Sequence, residues 1–158
     1  MDAAIKKITL RPMDMADAPM VEAFFDRMQG ETEFFFNCND RNRKFTRNFF
    51  KGKTRNVDFF LAQDGETMAA ILFLTNMDSL PELGIAVDEA YQNRGLGHRL
   101  LAFAENYAEE KGKNGILLST HPGNIRAQAL YRKMKYERLG NAVNGEILYL
   151  RRICRGSE

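Results

Sequence analysis

The stretch "ELGIAVDEAYQNRGLGHRLL", residues 82–101, sets the tightest limits on what this chain can become. It begins as a short apolar strand, crosses a polar loop and continues as a helix with Leu96, Leu100, Phe103, Ala104 and Tyr107 on one stripe. Gly95 and Gly97 stand at the junction, beside Arg94, His98 and Arg99. A helix start exposes unpaired N–H groups and carries partial positive charge. Glycine there lets an oxyanion reach the amides with no Cβ in the way. The pattern points to a bound phosphate, although two glycines would also serve simply to turn the chain. A P-loop needs G-x-x-x-x-G-K-[ST], which this sequence lacks. A dinucleotide fingerprint needs a third glycine where Leu100 stands, and an acid at the end of the next strand, where "ILLST" has none.

The rest of the chain alternates helical and extended patterns. "IKKITLRPM" reads as a strand, and "DMADAPMVEAFFDRMQG" as a helix with Val21, Phe24, Phe25 and Met28 on one face. Asp14 or Asp17 would cap its start and Gly30 would supply a left-handed stop. Phe45 and Phe49 suggest a short second helix beginning near Asp40, while periodicity does not place Phe34, Phe35 and Phe36. "VDFFLAQ" and "TMAAILFLT" form a hairpin around Asp64-Gly65, and "PELGIAV" is a third strand of the meander. Gly84 within it indicates a bulge or a close approach by another chain. "GILLST" is a strand buried on both faces. "HPGNIRAQALYRKMKY" is a helix with Ala127, Leu130, Tyr131 and Met134 inward, and two strands around Asn144-Gly145 close the chain. This order implies an α/β (α+β) fold, a mixed, mostly antiparallel sheet flanked by helices, in a single domain spanning residues 1–158.

Composition excludes several classes of function. A formal net charge of +2 gives no general attraction to nucleic acid or membranes. The basic run at residues 41–55 reads as a solvated helix face, with an acidic substrate or a cofactor phosphate as alternative partners, and nucleic acid is disfavoured. The start "MDAAIKKITL" has no secretory core, and the longest apolar run, "MAAILFL", is too short to cross a bilayer. Cys38 and Cys154 make no disulfide framework and no Cys or His pair has zinc spacing. The expectation is a cytoplasmic protein with reduced thiols and no metal.

Two motifs carry a resemblance. "VDEAYQNRGLGHRLL" resembles the acyl-CoA signature [QR]-x-x-G-x-[GA] of the GNAT superfamily of N-acyltransferases, with Gln92, Gly95 and Gly97 in the signature positions. "NIRAQALYRKMKY" resembles the second motif, N-x-x-A-x-x-L-Y-x-x-x-G-[FY], through Asn124, Ala127, Leu130, Tyr131 and Tyr136, with Lys135 in place of the usual glycine. The resemblance covers residues 57–140 well and the first strand and helix more loosely.

The resemblance implies a splayed central sheet and acetyl-CoA as co-substrate. The pyrophosphate of coenzyme A would lie on backbone amides around Gln92, Asn93, Arg94, Gly95, Leu96, Gly97 and His98. Ile85, Ala86 and Val87 would bond the pantetheine arm like an added strand, and Gly84 would sit at the splay. Tyr131 would face the departing sulfur, because a phenol stays protonated at neutral pH and can donate. Glu82 would take the amine proton, Ser119 and Thr120 leave no acid on the following strand, and His121 is a substitute base. Asn124 would bond the cofactor arm or cap its helix. The acceptor would bind near Glu31, Glu33, Phe34, Phe35 and Phe36. It is a small-molecule amine or a protein amino group, and a homodimer through the final strands fits the family. The rival is a sensor domain of the same fold that binds acyl-CoA without turnover.

Overall fold

The computed structural model describes residues 3–36 and 41–153. The readings of Cys38 and Cys154, and the helix start placed near Asp40, lie outside the described residues. The first segments are α1 (Ala3–Lys6), β1 (Thr9–Pro12), a 3-10 turn (Met15–Asp17), α2 (Ala18–Arg27), α3 (Gly30–Phe36) and α4 (Arg43–Phe50). The meander follows as β2 (Asp58–Asp64), β3 (Thr67–Thr75) and β4 (Glu82–Val87). After a second 3-10 turn (Glu89–Tyr91) come α5 (Leu96–Glu110), β5 (Gly115–Thr120), α6 (Ile125–Lys133), β6 (Glu137–Asn141) and β7 (Ile147–Arg152). They form a single α/β domain on a seven-stranded mixed sheet in the order β1-β2-β3-β4-β5-β7-β6.

The sheet has a hydrophobic layer on each face. Leu72, Leu74, Leu118, Tyr131 and Tyr149 pack with Leu100 and Leu101 of α5. Leu61, Ile71 and Phe73 pack on the other face with Val21, Phe24 and Phe25 of α2. Because successive strand residues point to opposite faces, β3 feeds both layers, which is why "MAAILFL" reads as an unbroken apolar run.

Several expectations are corrected by the structure. Ile5 belongs to α1, a single helical turn that buries it, and the first strand begins only at Thr9. The Asp14 side chain accepts from Ala16 N, and the Asp17 carboxylate closes a capping box ahead of α2. That helix ends at Arg27 with Met28 extended, so Gly30, although left-handed at φ +63°, opens α3 instead of stopping α2. Phe34, Phe35 and Phe36 then lie on α3. Gly84 is no bulge, since β3 and β4 stay in register with Phe73 opposite Gly84. The close approach there is a ring: a Cβ on Gly84 would fall 2.2 Å from Phe73 Cζ.

The basic run contributes to packing as well as to the surface. Arg43 reaches Glu22 at 2.7 Å and Asp26 at 2.6 Å, and Arg47 reaches Glu22 at 2.7 Å, tying α4 to α2. Hydrogen bonding from Arg47, reinforced by Arg43, holds the Glu22 carboxyl down at about 2. Lys135 also has a specific place. Its φ of +68° makes it the left-handed residue of a Schellman motif, with Tyr136 N donating to Tyr131 O at 2.9 Å and Lys135 N to Arg132 O at 3.0 Å. That geometry explains why glycine is usual there.

Candidate active site

Among the described residues the neighbours β4 and β5 are the one parallel pair, and they share a single rung, Glu82 opposite Leu117. One further bond, Leu117 N to Pro81 O at 2.9 Å, closes that end. Beyond it the strands diverge. Ile85, Ala86 and Val87 pair only with β3, so their other edge faces the gap. A cleft of about 1160 Å³ occupies this gap, with β4 and the glycine loop on one side and Ser119, Thr120 and α6 on the other. The two strands are splayed as the resemblance implies.

At the loop end, Gly95 is the N-cap of α5 at φ +93°, with no side chain capping the helix. Among the described residues no side chain caps the first amides of α5, and Gly95, Gly97, Asn93 and His98 line the cleft. Leu96 is only 1% exposed and packs into the core, so it can offer a ligand nothing but its backbone. Arg94 lies outside the lining. Gly97 has a second role, because a Cβ there would meet Leu130 Cδ2 of α6 at 3.0 Å. The loop itself is fixed by groups that local patterns do not show. Asp88 accepts from Ala90 N at 3.0 Å and from Arg27 Nε at 2.8 Å, and Tyr91 donates to Asp64 at 2.7 Å.

Gln92 ties three elements together at the cleft mouth. Its Nε2 donates to Thr32 Oγ1 of α3 and to Val87 O, both at 2.8 Å, and its Oε1 accepts from Arg126 of α6 at 2.6 Å. Asn124 caps α6, its side chain accepting from Ala127 N at 3.1 Å, while also lining the cleft.

Tyr131 reaches the cleft from the α5–α6 face and is 6% exposed. Its ring stands edge-on to Tyr149 at 5.4 Å and tilted to Tyr136 at 5.9 Å, which fixes its direction. Burial first, and then Tyr149, push its pKa well above the usual phenol value. It therefore stays protonated across the neutral range, as a proton donor must.

On the opposite face α3 roofs the cleft. Glu31, Phe35 and Phe36 line it, whereas Glu33 and Phe34 do not. Phe36 packs towards Phe73 at 6.2 Å, and Phe34 and Phe35 each hold the His121 ring at 5.2 Å. His121 Nδ1 accepts from Gly123 N at 2.9 Å. Glu82 is exposed, at the closed end of the splay and outside the lining. A carboxylate not singled out in the sequence, also outside the lining, stands behind the cleft-lining Ser119: Glu146, which accepts from Ser119 Oγ at 2.8 Å. Among the described residues no group of three or more His, Cys, Asp or Glu could hold a metal ion. No described helix is long and apolar enough to cross a membrane.

Residues 20–136 match the model of the Acetyltransferase (GNAT) family. The chain belongs to that family. An uncharacterized protein of Mycobacterium leprae is 30% identical over 138 residues, which are 84% of this chain and 34% of the relative. The [ribosomal protein bS18]-alanine N-acetyltransferase of Escherichia coli K12 is 32% identical over 82 residues, 52% of this chain and 55% of that protein. The matches thus span about a third to a half of these relatives' length. Among solved structures, the GNAT domain of S. lividans PAT superposes with a TM-score of 0.79 at 16% identity, covering 90% of this chain and 89% of that one. The PaiA N-acetyltransferase of Thermoplasma acidophilum, solved with coenzyme A, gives 0.71 at 16% identity, covering 92% and 98%.

Proposed function

We propose that the protein transfers an acetyl group from acetyl-CoA to a primary amine by direct attack of the amine on the thioester. The observation that carries this reading is the single-rung splay, with an uncapped glycine-led helix start at one end and the Tyr131 ring facing the gap. A diphosphate fits the first amides of α5, where a side chain at Gly95 or Gly97 would intrude. An amide-bearing arm fits the edge of Ile85, Ala86 and Val87, which has no strand partner on the β5 side and whose Val87 O is met by Gln92. The neighbour solved with coenzyme A supports the cofactor, and the ribosomal-protein alanine N-acetyltransferase supports an amino group as acceptor.

The chemistry asks little of the protein covalently. Tyr131 donates its proton to the departing thiolate, and a carboxylate on the α3 face accepts the proton of the incoming ammonium. Phe35, Phe36 and Glu31 border the acceptor's approach, an apolar rim with one acid that suits a cationic amine, whether on a small molecule or at a protein terminus. The test is thiol release from acetyl-CoA with a panel of amines and N-terminal peptides, next to calorimetry with coenzyme A. Turnover with one class of amine supports the reading. Tight binding without turnover across the panel supports the sensor reading instead, and absence of binding removes both.

A further inference from the structure

We propose that Glu146 is the catalytic carboxylate that holds the acceptor's ammonium group and takes its proton, with Ser119 as its positioning residue. This rests on the acetyl-transfer reading above. Along β5, Ile116 and Leu118 enter the α5–α6 core, so by strand alternation Leu117 and Ser119 face the α3 side, from which an acceptor approaches. Ser119 lines the cleft, and its Oγ donates to Glu146 Oε1 at 2.8 Å.

The pairing of β5 with β7 makes this contact possible. Ser119 stands opposite Leu148 and Thr120 opposite Ile147, which places Glu146 diagonally beyond Ser119 on the same face. The backbone of Glu146 is held on both sides, its N–H by Asn144 Oδ1 at 3.0 Å and its C=O by Ala142 N at 2.7 Å. One carboxylate oxygen is thus fixed by Ser119, and among the described residues the second has no partner. Tyr149, three positions on, faces the other layer and carries the Tyr131 ring. The β5–β7 pair therefore sets Glu146 directly behind the cleft-lining Ser119 on one face and the cleft-lining Tyr131 ring against the other. Glu82 also faces the α3 side, but it is exposed where the strands are joined, and among the described residues no hydrogen bond orients its carboxylate.

The ammonium R–NH3+ gives one proton to Glu146, and the freed nitrogen lone pair forms the C–N bond at the thioester carbonyl carbon. The C–S bond breaks, its electron pair leaves on sulfur, and the thiolate takes the Tyr131 proton. The nitrogen sheds its second proton as the amide forms, which restores Tyr131 through solvent, and Glu146 releases its proton to water. The products are the N-acetyl amine, the free thiol and one proton.

The test compares Glu146→Gln, Ser119→Ala and Glu82→Gln with the wild type, using the best amine from the panel and a pH series. Glu146→Gln should lower kcat/KM for the amine by roughly 100-fold near neutral pH. The deficit should shrink as pH rises and free amine becomes abundant, with coenzyme A affinity by calorimetry within about twofold of the wild type. Ser119→Ala should show the same pH signature with a loss of roughly tenfold or less, which covers the case of a poorly folded Glu146 variant. Wild-type turnover with an unimpaired Glu146→Gln, or a loss confined to Glu82→Gln, overturns the assignment while leaving acetyl transfer intact. A wild type that binds coenzyme A yet acetylates nothing overturns the acetyl-transfer reading and this assignment with it.

Discussion

Gly84→Ala should destabilise the protein far more than a glycine-to-alanine change in a strand normally does, because Phe73 occupies the place a side chain would take. A Cβ at Gly84 would lie 2.2 Å from Cζ, 2.3 Å from Cε2 and 2.8 Å from Cε1 of Phe73. Carbon contacts settle near 3.5–4.0 Å, so the ring must retreat by about 1.5 Å. An exposed ring would swing away at little cost. This one is only 8% exposed and is walled by Phe45 at 5.3 Å, Phe59 at 5.7 Å and Phe36 at 6.2 Å. Its retreat shifts a whole aromatic cluster, which places the cost towards the upper end of overpacking, about 2–3 kcal/mol. With a urea slope of about 2 kcal/mol/M, the unfolding midpoint should fall by roughly 1–1.5 M. Phe73→Leu, itself destabilising, should absorb most of the added methyl, giving a coupling energy of about 2 kcal/mol in a double-mutant cycle. An unchanged midpoint for Gly84→Ala, or strict additivity in the cycle, would refute the packing argument.

Four further outcomes are expected. Tyr131→Phe should lower turnover by roughly 100-fold with coenzyme A affinity unchanged by calorimetry, and equal turnover would remove the donor role. Gly97→Ala pushes only on the flexible tip of Leu130, so it should cost under about 1 kcal/mol in a melt while weakening coenzyme A binding; unaltered affinity would argue against a phosphate at that helix start. Lys135→Gly should raise stability by roughly 1 kcal/mol, since φ +68° strains any residue with a Cβ, and a lowered melting temperature would contradict this. Glu22 has a folded pKa of about 2 against an ordinary 4.5, so its contribution is fully present above pH 4.5 and is lost as pH falls from 4.5 to 2. Solvent screening limits that contribution to about 1 kcal/mol, and Glu22→Gln should flatten this part of the acid-denaturation curve; an unaltered slope would show the pairing to be idle.

What could be read in the sequence is what lies within one element or one turn. The hairpin at Asp64-Gly65, the glycine-led α5 and the inward face of α6 are local periodicities and local backbone demands, and they stand where they were expected. The ends of the first two elements are locally ambiguous, because Ile5 suits a buried strand and a buried helical turn equally well, and Gly30 can stop one helix or open the next. Gly84 showed that something comes close, but only the register with β3 names it as Phe73. Gln92 reaches Thr32, Arg43 reaches Asp26 and Glu146 reaches Ser119 across 60, 17 and 27 residues, beyond any local window. β5 carries no acid, and the carboxylate that reaches its Ser119 is Glu146, the residue just ahead of β7, brought there by a pairing that periodicity cannot foresee.

The one-rung contact between β4 and β5 also bears on how the molecule comes apart. Backbone bonds knit β1 to β4 into one block and β5, β7 and β6 into another, and the seam between them depends on the helices packed across it. Amide hydrogen exchange along the seam should therefore outpace exchange within either block. A guest laid into the opening would weld the blocks, raising the melting temperature with its concentration and slowing exchange at Ile85, Ala86 and Val87 first.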